Sequence, residues 1–202
     1  MTTLVSYTVR VMFGVAASVL LLASAANSSD GPTPEEIGTV QVLQSDADAL
    51  DEIFDDSDST HCDTIVVSDS LRAMLESRLE RTVRDSVYIA YYVFDDGAFM
   101  GYGIVSEERG KYRPITFMAG VSPDMHVIDV RVLVYRESRG GEVQRKRFLR
   151  QYRDKDLTDP LRINRDIINI TGATISVRAL NAGVRKALAV AEWLNRDVEG
   201  TQ

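Results

Sequence analysis

Val87-Tyr-Ile-Ala-Tyr-Tyr-Val-Phe94, Asp95-Asp96-Gly97 and Phe99-Met-Gly-Tyr-Gly-Ile-Val105 read together as two strands and the turn between them. β-Branched and aromatic residues fill both runs, and Asp-Gly is a turn dipeptide. Pro114 to Val121 reads as a third strand. Ser122-Pro123-Asp124 turns the chain, and Val127 to Tyr135 reads as a fourth. In this last run Ile128, Val130, Val132 and Val134 alternate with Asp129 and Arg131, the pattern of a half-exposed antiparallel sheet. The expected fold is therefore α+β: an antiparallel meander with helices packed on one side.

Helical patterns flank this centre. Downstream, Val177, Leu180, Val184, Leu188, Ala191 and Leu194 recur at intervals of three and four, predicting a helix from Ser176 to about Asp197. Trp193 reads as one of its packing residues. Upstream, Thr33-Pro34-Glu35-Glu36 has the form of a helix start with a capping box. Ile37, Val40, Leu43, Ala47 and Leu50 extend that pattern to Phe54. A second helix is expected over Ser70 to Glu80, and a short one near Arg147 to Tyr152. Asp55 to Asp58 lacks the glycine and glutamate of a calcium loop and reads as solvated surface. His61-Cys62-Asp63 reads as a helix–strand junction, and Tyr88, Tyr91 and Tyr92 as sheet packing.

The chain has 202 residues, 45% apolar and 26% charged, enough for one domain with a real core. A single cysteine and two histidines exclude a disulfide framework and a thiolate zinc site, and argue against a multi-histidine centre. The net charge of -7 argues against a general nucleic-acid binder. Charge is unevenly placed: no lysine or arginine lies between Arg10 and Arg72, whereas Arg131 to Arg165 holds 11 basic and 5 acidic residues. Such a basic run is either a solvated face or an anion-facing loop. The apolar run from Val11 to Ala26 is short for a membrane span of about 20 residues. With Ala23-Ser24-Ala25 at its end, residues 1–26 read as an export signal or a retained anchor, placing the body outside the cytoplasm.

The chemistry gathers at Asn169-Ile170-Thr171-Gly172-Ala173-Thr174-Ile175-Ser176, just before the last helix. A helix N-terminus offers unpaired N–H groups and partial positive charge, a physical basis for phosphate binding. A plain N-capping turn is the other reading. Thr-Gly-Ala-Thr-Ile-Ser resembles the flavinylation motif of the FMN-binding domain family, which includes covalent-flavin subunits of Rnf and sodium-pumping NADH:quinone oxidoreductase complexes. The resemblance continues through Gly110-Lys-Tyr-Arg-Pro-Ile-Thr-Phe117, Val134-Tyr-Arg-Glu-Ser-Arg-Gly-Gly-Glu-Val143 and Arg147-Phe-Leu-Arg-Gln-Tyr-Arg-Asp-Lys155, covering roughly residues 87–192 in the family's order.

The resemblance implies residues 85–198 as an FMN-binding domain, preceded by an acidic helical extension over 27–84. It implies FMN esterified to Thr174 by a flavin transferase. Thr171, Gly172, Ala173 and Ser176 would shape the phosphate loop, and Glu137, Ser138, Gly140 and Gly141 would lie beside the isoalloxazine ring. Arg139 is left between pairing with the cofactor and facing solvent. No general acid–base set is visible, so the expected role is an electron carrier working with membrane redox partners. The family's motif has an aspartate where this chain has Ile168, and the nearest acid is Asp166. The alternative is a flavin-free docking module that keeps the fold.

Overall fold

The computed structural model describes residue 35, residues 38–55 and residues 57–199. The segment read as a signal or anchor, and the Thr33-Pro34 helix start, lie outside the described residues; Glu35 itself is helical. Among the described residues no helix is long and apolar enough to cross a membrane.

Six strands form one antiparallel sheet: β1 (Gln41–Val42), β2 (Ser59–Val66), β3 (Val87–Asp95), β4 (Ala98–Arg109), β5 (Pro114–Val121) and β6 (Val127–Tyr135). Their spatial order is β1-β6-β5-β4-β3-β2, so β2 to β6 run as an uninterrupted meander and β1 closes the far edge against β6. The helices are α1 (Asp46–Ile53), α2 (Asp69–Leu79), the single turn α3 (Lys146–Leu149) and α4 (Thr174–Glu199). Two 3-10 turns, Gly141–Gln144 and Arg150–Tyr152, flank α3.

The main core lies between one sheet face and α4 with α2. Tyr88, Ala90, Ile104, Phe117 and Val130 of the sheet meet Val177, Leu180, Val184 and Leu188 of α4 and Leu71 and Leu75 of α2. α4 sits close because Gly183 faces Phe117: a Cβ there would meet Phe117 Cζ at 2.1 Å.

The structure adds α1 on the opposite face. Ala49, Leu50, Ile53 and Phe54 pack with Val93, Met118 and Leu133 in a second, smaller cluster. Gly120 and Gly103 leave room for it, since a Cβ on either would meet Ile53 at 2.2 Å or Leu50 at 2.8 Å. The first helix is much shorter than the expected run from Thr33 to Phe54. Ser45 ends the extended chain by a capping box with Asp48, and before it Leu43 N donates to Leu133 O at 2.8 Å. Val40 and Leu43, read as helix-face residues, are exposed on the β1 side instead, beside exposed Val42.

Two further expectations change. His61-Cys62-Asp63 is not a junction but the middle of β2, an edge strand whose mostly exposed residues pair with β3 without a register shift. On β6, Val130 and Val132 face the main core while Ile128 and Val134 join the second cluster. Bulges at Thr116/Phe117 and Gly120/Val121 break the simple alternation.

Candidate functional site

The helix start at residue 174 differs from the other two long ones. Ser45 caps α1 and Ser68 caps α2 through their side chains. At α4, Val177 N makes the first helical bond to Ala173 O at 2.9 Å, which puts an alanine at the cap. Alanine has no side-chain oxygen to offer, so among the described residues the N–H groups of Thr174, Ile175 and Ser176 have neither a helical acceptor nor a capping side chain. Ala173 N is held by Ile170 O at 2.9 Å, which closes the turn over Thr171 and Gly172. Gly172 takes φ +84°, and its missing side chain would stand in open space.

Thr174 is half-buried at this mouth, and its Oγ1 accepts a hydrogen bond from Asn169 Nδ2 at 2.9 Å. Asn169 Oδ1 is buried without a partner. Its contact with Thr174 closes the motif on itself, which the one-dimensional pattern did not reveal.

The other half of the site is the loop after β6. Glu137 is 6% exposed, and its Oε1 accepts from Tyr112 N at 2.7 Å and Arg113 N at 2.9 Å. It is thus a buried tie for the β4–β5 turn, standing at the cleft wall. Ser138 and Arg139 are exposed. Tyr135 OH donates to Arg139 O at 2.6 Å, so Ser176 Oγ donates to the phenol oxygen at 3.0 Å. Burial pushes the Tyr135 phenol up, so it remains a donor at neutral pH. The Ser176 hydroxyl therefore joins the helix to the loop. Gly140, at φ +83°, seals this junction: a Cβ would meet Ser176 Oγ at 2.8 Å and Tyr135 OH at 3.0 Å.

A cleft of about 620 Å³ opens between the two halves, bordered by Lys111, Tyr112, Glu137 to Arg139 and Gly172 to Ser176, with Glu35 at its rim. A smaller hollow of about 330 Å³ shares Ser138, Arg139 and Gly172 with it and adds Gly140, Gly141 and Thr171. All nine residues singled out from the sequence border one hollow or the other. Lys111, Tyr112 and Glu35 are additions; Lys111 and Tyr112 come from a turn read only as a strand entry. Lys111 Nζ lies 4.4 Å from the Tyr112 ring centroid. Arg139 lines both hollows as an exposed side chain.

Asp166 is committed elsewhere. Its oxygens accept from Leu161 N at 3.0 Å and Arg162 N at 2.8 Å, and it pairs with Lys155 at 3.2 Å. Those contacts outweigh burial and hold its carboxyl below the ordinary range. Ile168 is 75% exposed. Among the described residues no cluster of metal-ligating side chains occurs.

A search of curated proteins found no match to the chain. The family model of the FMN-binding domain matches residues 110–189, a span narrower at its start than the resemblance read from the sequence. That span holds both loops of the cleft and the first part of α4. Residues 110–189 of this chain thus match the FMN-binding domain family.

Proposed function

We propose that the protein carries electrons through an FMN held in the 620 Å³ cleft and esterified to Thr174. The observation that carries this reading is a threonine hydroxyl at the uncapped mouth of a 26-residue helix, opening into that cleft. The residues suit the group. The first-turn N–H groups and helix dipole favour a phosphate's negative charge. Gly172 leaves space beside them, and the volume lies within the range of small-molecule sites. When bound, FMN supplies electron-transfer chemistry through its ring.

The chain's own residues prepare and hold the link. Asn169 orients Thr174 Oγ1, the atom that becomes the ester oxygen. Thr174 Oγ1 would hold the FMN phosphate as an ester, with phosphorus in place of the hydroxyl proton. Arg139 and Lys111 set positive charge beside the cleft, and Gly140 keeps the loop against the helix. The sequence holds no haem or cluster motif, so on this reading electrons arrive and leave through partners. We place those partners at a membrane, with the protein exported or anchored on its extracytoplasmic face, on the strength of residues 1–26.

A flavin-free docking module is the second reading. It draws on Ile168 in the aspartate position and on the engagement of Asp166 in its own loop. Thr174→Ala separates the two. Produced with a flavin transferase, the native protein is expected to absorb at about 450 nm, and the variant to be colourless with an unchanged circular dichroism spectrum. A variant as yellow as the native protein overturns the ester, and two colourless proteins favour the docking module.

A further inference from the structure

A second hollow, of about 390 Å³, opens on the flank of α4. Four arginines line it, Arg81, Arg162, Arg178 and Arg185, and no carboxylate does. Arg178 stands four residues after Thr174 on the same stripe of the helix, about 6 Å further along its axis. Leu161, Ile163 and Ala182 supply an apolar wall.

The four guanidinium groups are not equivalent. Arg81 is fixed by two hydrogen bonds to Glu108, which leave its buried Nε without a partner. Arg185 donates to Asp159 O at 3.0 Å. Arg162 and Arg178 are exposed, and their guanidinium groups have no protein partner among the described residues. The pocket also contains Asn181, 6% exposed. Tyr152, fully buried, donates its hydroxyl to Asn181 Oδ1 at 2.7 Å, which fixes the amide and leaves Nδ2 as a free donor.

The loop bearing Arg162 is held rather than loose. Leu161 adopts φ +45°, in the left-handed region where a leucine is uncommon, and is 2% exposed. Asp166 maintains that bend by accepting from Leu161 N and Arg162 N, and Lys155 pairs with Asp166 in turn. A left-handed turn held by a paired carboxylate thus brings Arg162 to the same concavity that Arg178 lines from α4. Converging like charges are unfavourable alone and become favourable around an anion. Guanidinium groups match phosphate oxygens in fork geometry, and such charge-assisted bonds are the strong ones.

We propose that this pocket is a binding site for a small phosphate-bearing ligand, held by Arg162, Arg178 and Asn181, separate from the flavin cleft. It does not rest on the flavin reading. The test is isothermal titration calorimetry of the full-length protein, as isolated with its flavin content measured, using inorganic pyrophosphate at low ionic strength. One-site, saturable binding is expected. The Arg162→Ala/Arg178→Ala double variant is expected to weaken it at least about tenfold, with flavin content and melting temperature unchanged. Absence of saturable binding overturns the proposal. So does binding that the double variant retains, including the case where Thr174→Ala alone abolishes it, which would put the anion in the flavin cleft.

Discussion

Gly140 concentrates the demands of the site in one residue. Its backbone is left-handed, and its missing side chain leaves space for Ser176 Oγ and Tyr135 OH. Gly140→Ala is therefore expected to cost about 1–3 kcal/mol from backbone strain. It should also part the loop from the helix and lower flavin content. A urea midpoint and the flavin-to-protein absorbance ratio measure the two effects; an unchanged midpoint would mean that the junction is not tight. At this scale the contiguous part of the site was legible, because Thr171 to Ser176 stand together ahead of an unmistakable helix. The contacts of Tyr135 and Asn169 were not. Their contacts span 41 and 5 residues, and neither spacing is a repeat that a pattern can show.

Strand β6 shows what the elements add. Asp129 and Arg131 alternate with valines and read as a solvent face, yet they are 2% and 6% exposed. The short helix α1 covers that face, and Arg131 Nε donates to Glu52 Oε2 at 2.7 Å. Asp129 pairs with Arg131 at 2.7 Å and with Arg153 from the loop after α3. Burial opposes the Asp129 charge, but the hydrogen bonds from Arg153 and Arg131 outweigh it and hold the carboxyl below its ordinary range. A depressed folded value gives stability that is present above the unfolded carboxyl range, near pH 4, and lost as pH falls through the folded value. Asp129→Asn is expected to cost on the order of 3 kcal/mol at neutral pH, because Arg131 keeps its charge in a buried place. The variant's stability should also fall less steeply as the pH drops below the unfolded carboxyl range. Thermal melts across that range decide it, and parallel acid limbs would show that Asp129 is not the responsible group. The four central strands and α4 were readable because each is a long run rich in apolar residues, with a clear period in β6 and α4. α1 and β2 were not: α1 is short and capped from within an acidic run, and β2 is a mostly exposed edge with no alternation.

At the scale of the whole molecule, charge and topology divide the work. The basic run between Arg131 and Arg165 splits by structure rather than by sequence. Arg131 and Arg153 neutralise Asp129. Arg139 faces the flavin cleft, and Arg162 faces the second pocket. The elements before residue 80 are built into the same sheet and cores as the rest, through β1 on β6, β2 on β3 and α2 against α4. Were the protein exported as proposed, a covalent link would keep a cofactor that could not be replaced outside the cytoplasm. The most direct test is the intact mass of the protein purified from a host that has a flavin transferase, followed by fragmentation of the peptide containing Thr174. The account predicts a gain of about 440 Da, lost from that peptide when Thr174 is changed to alanine. An unmodified mass from colourless protein would contradict it.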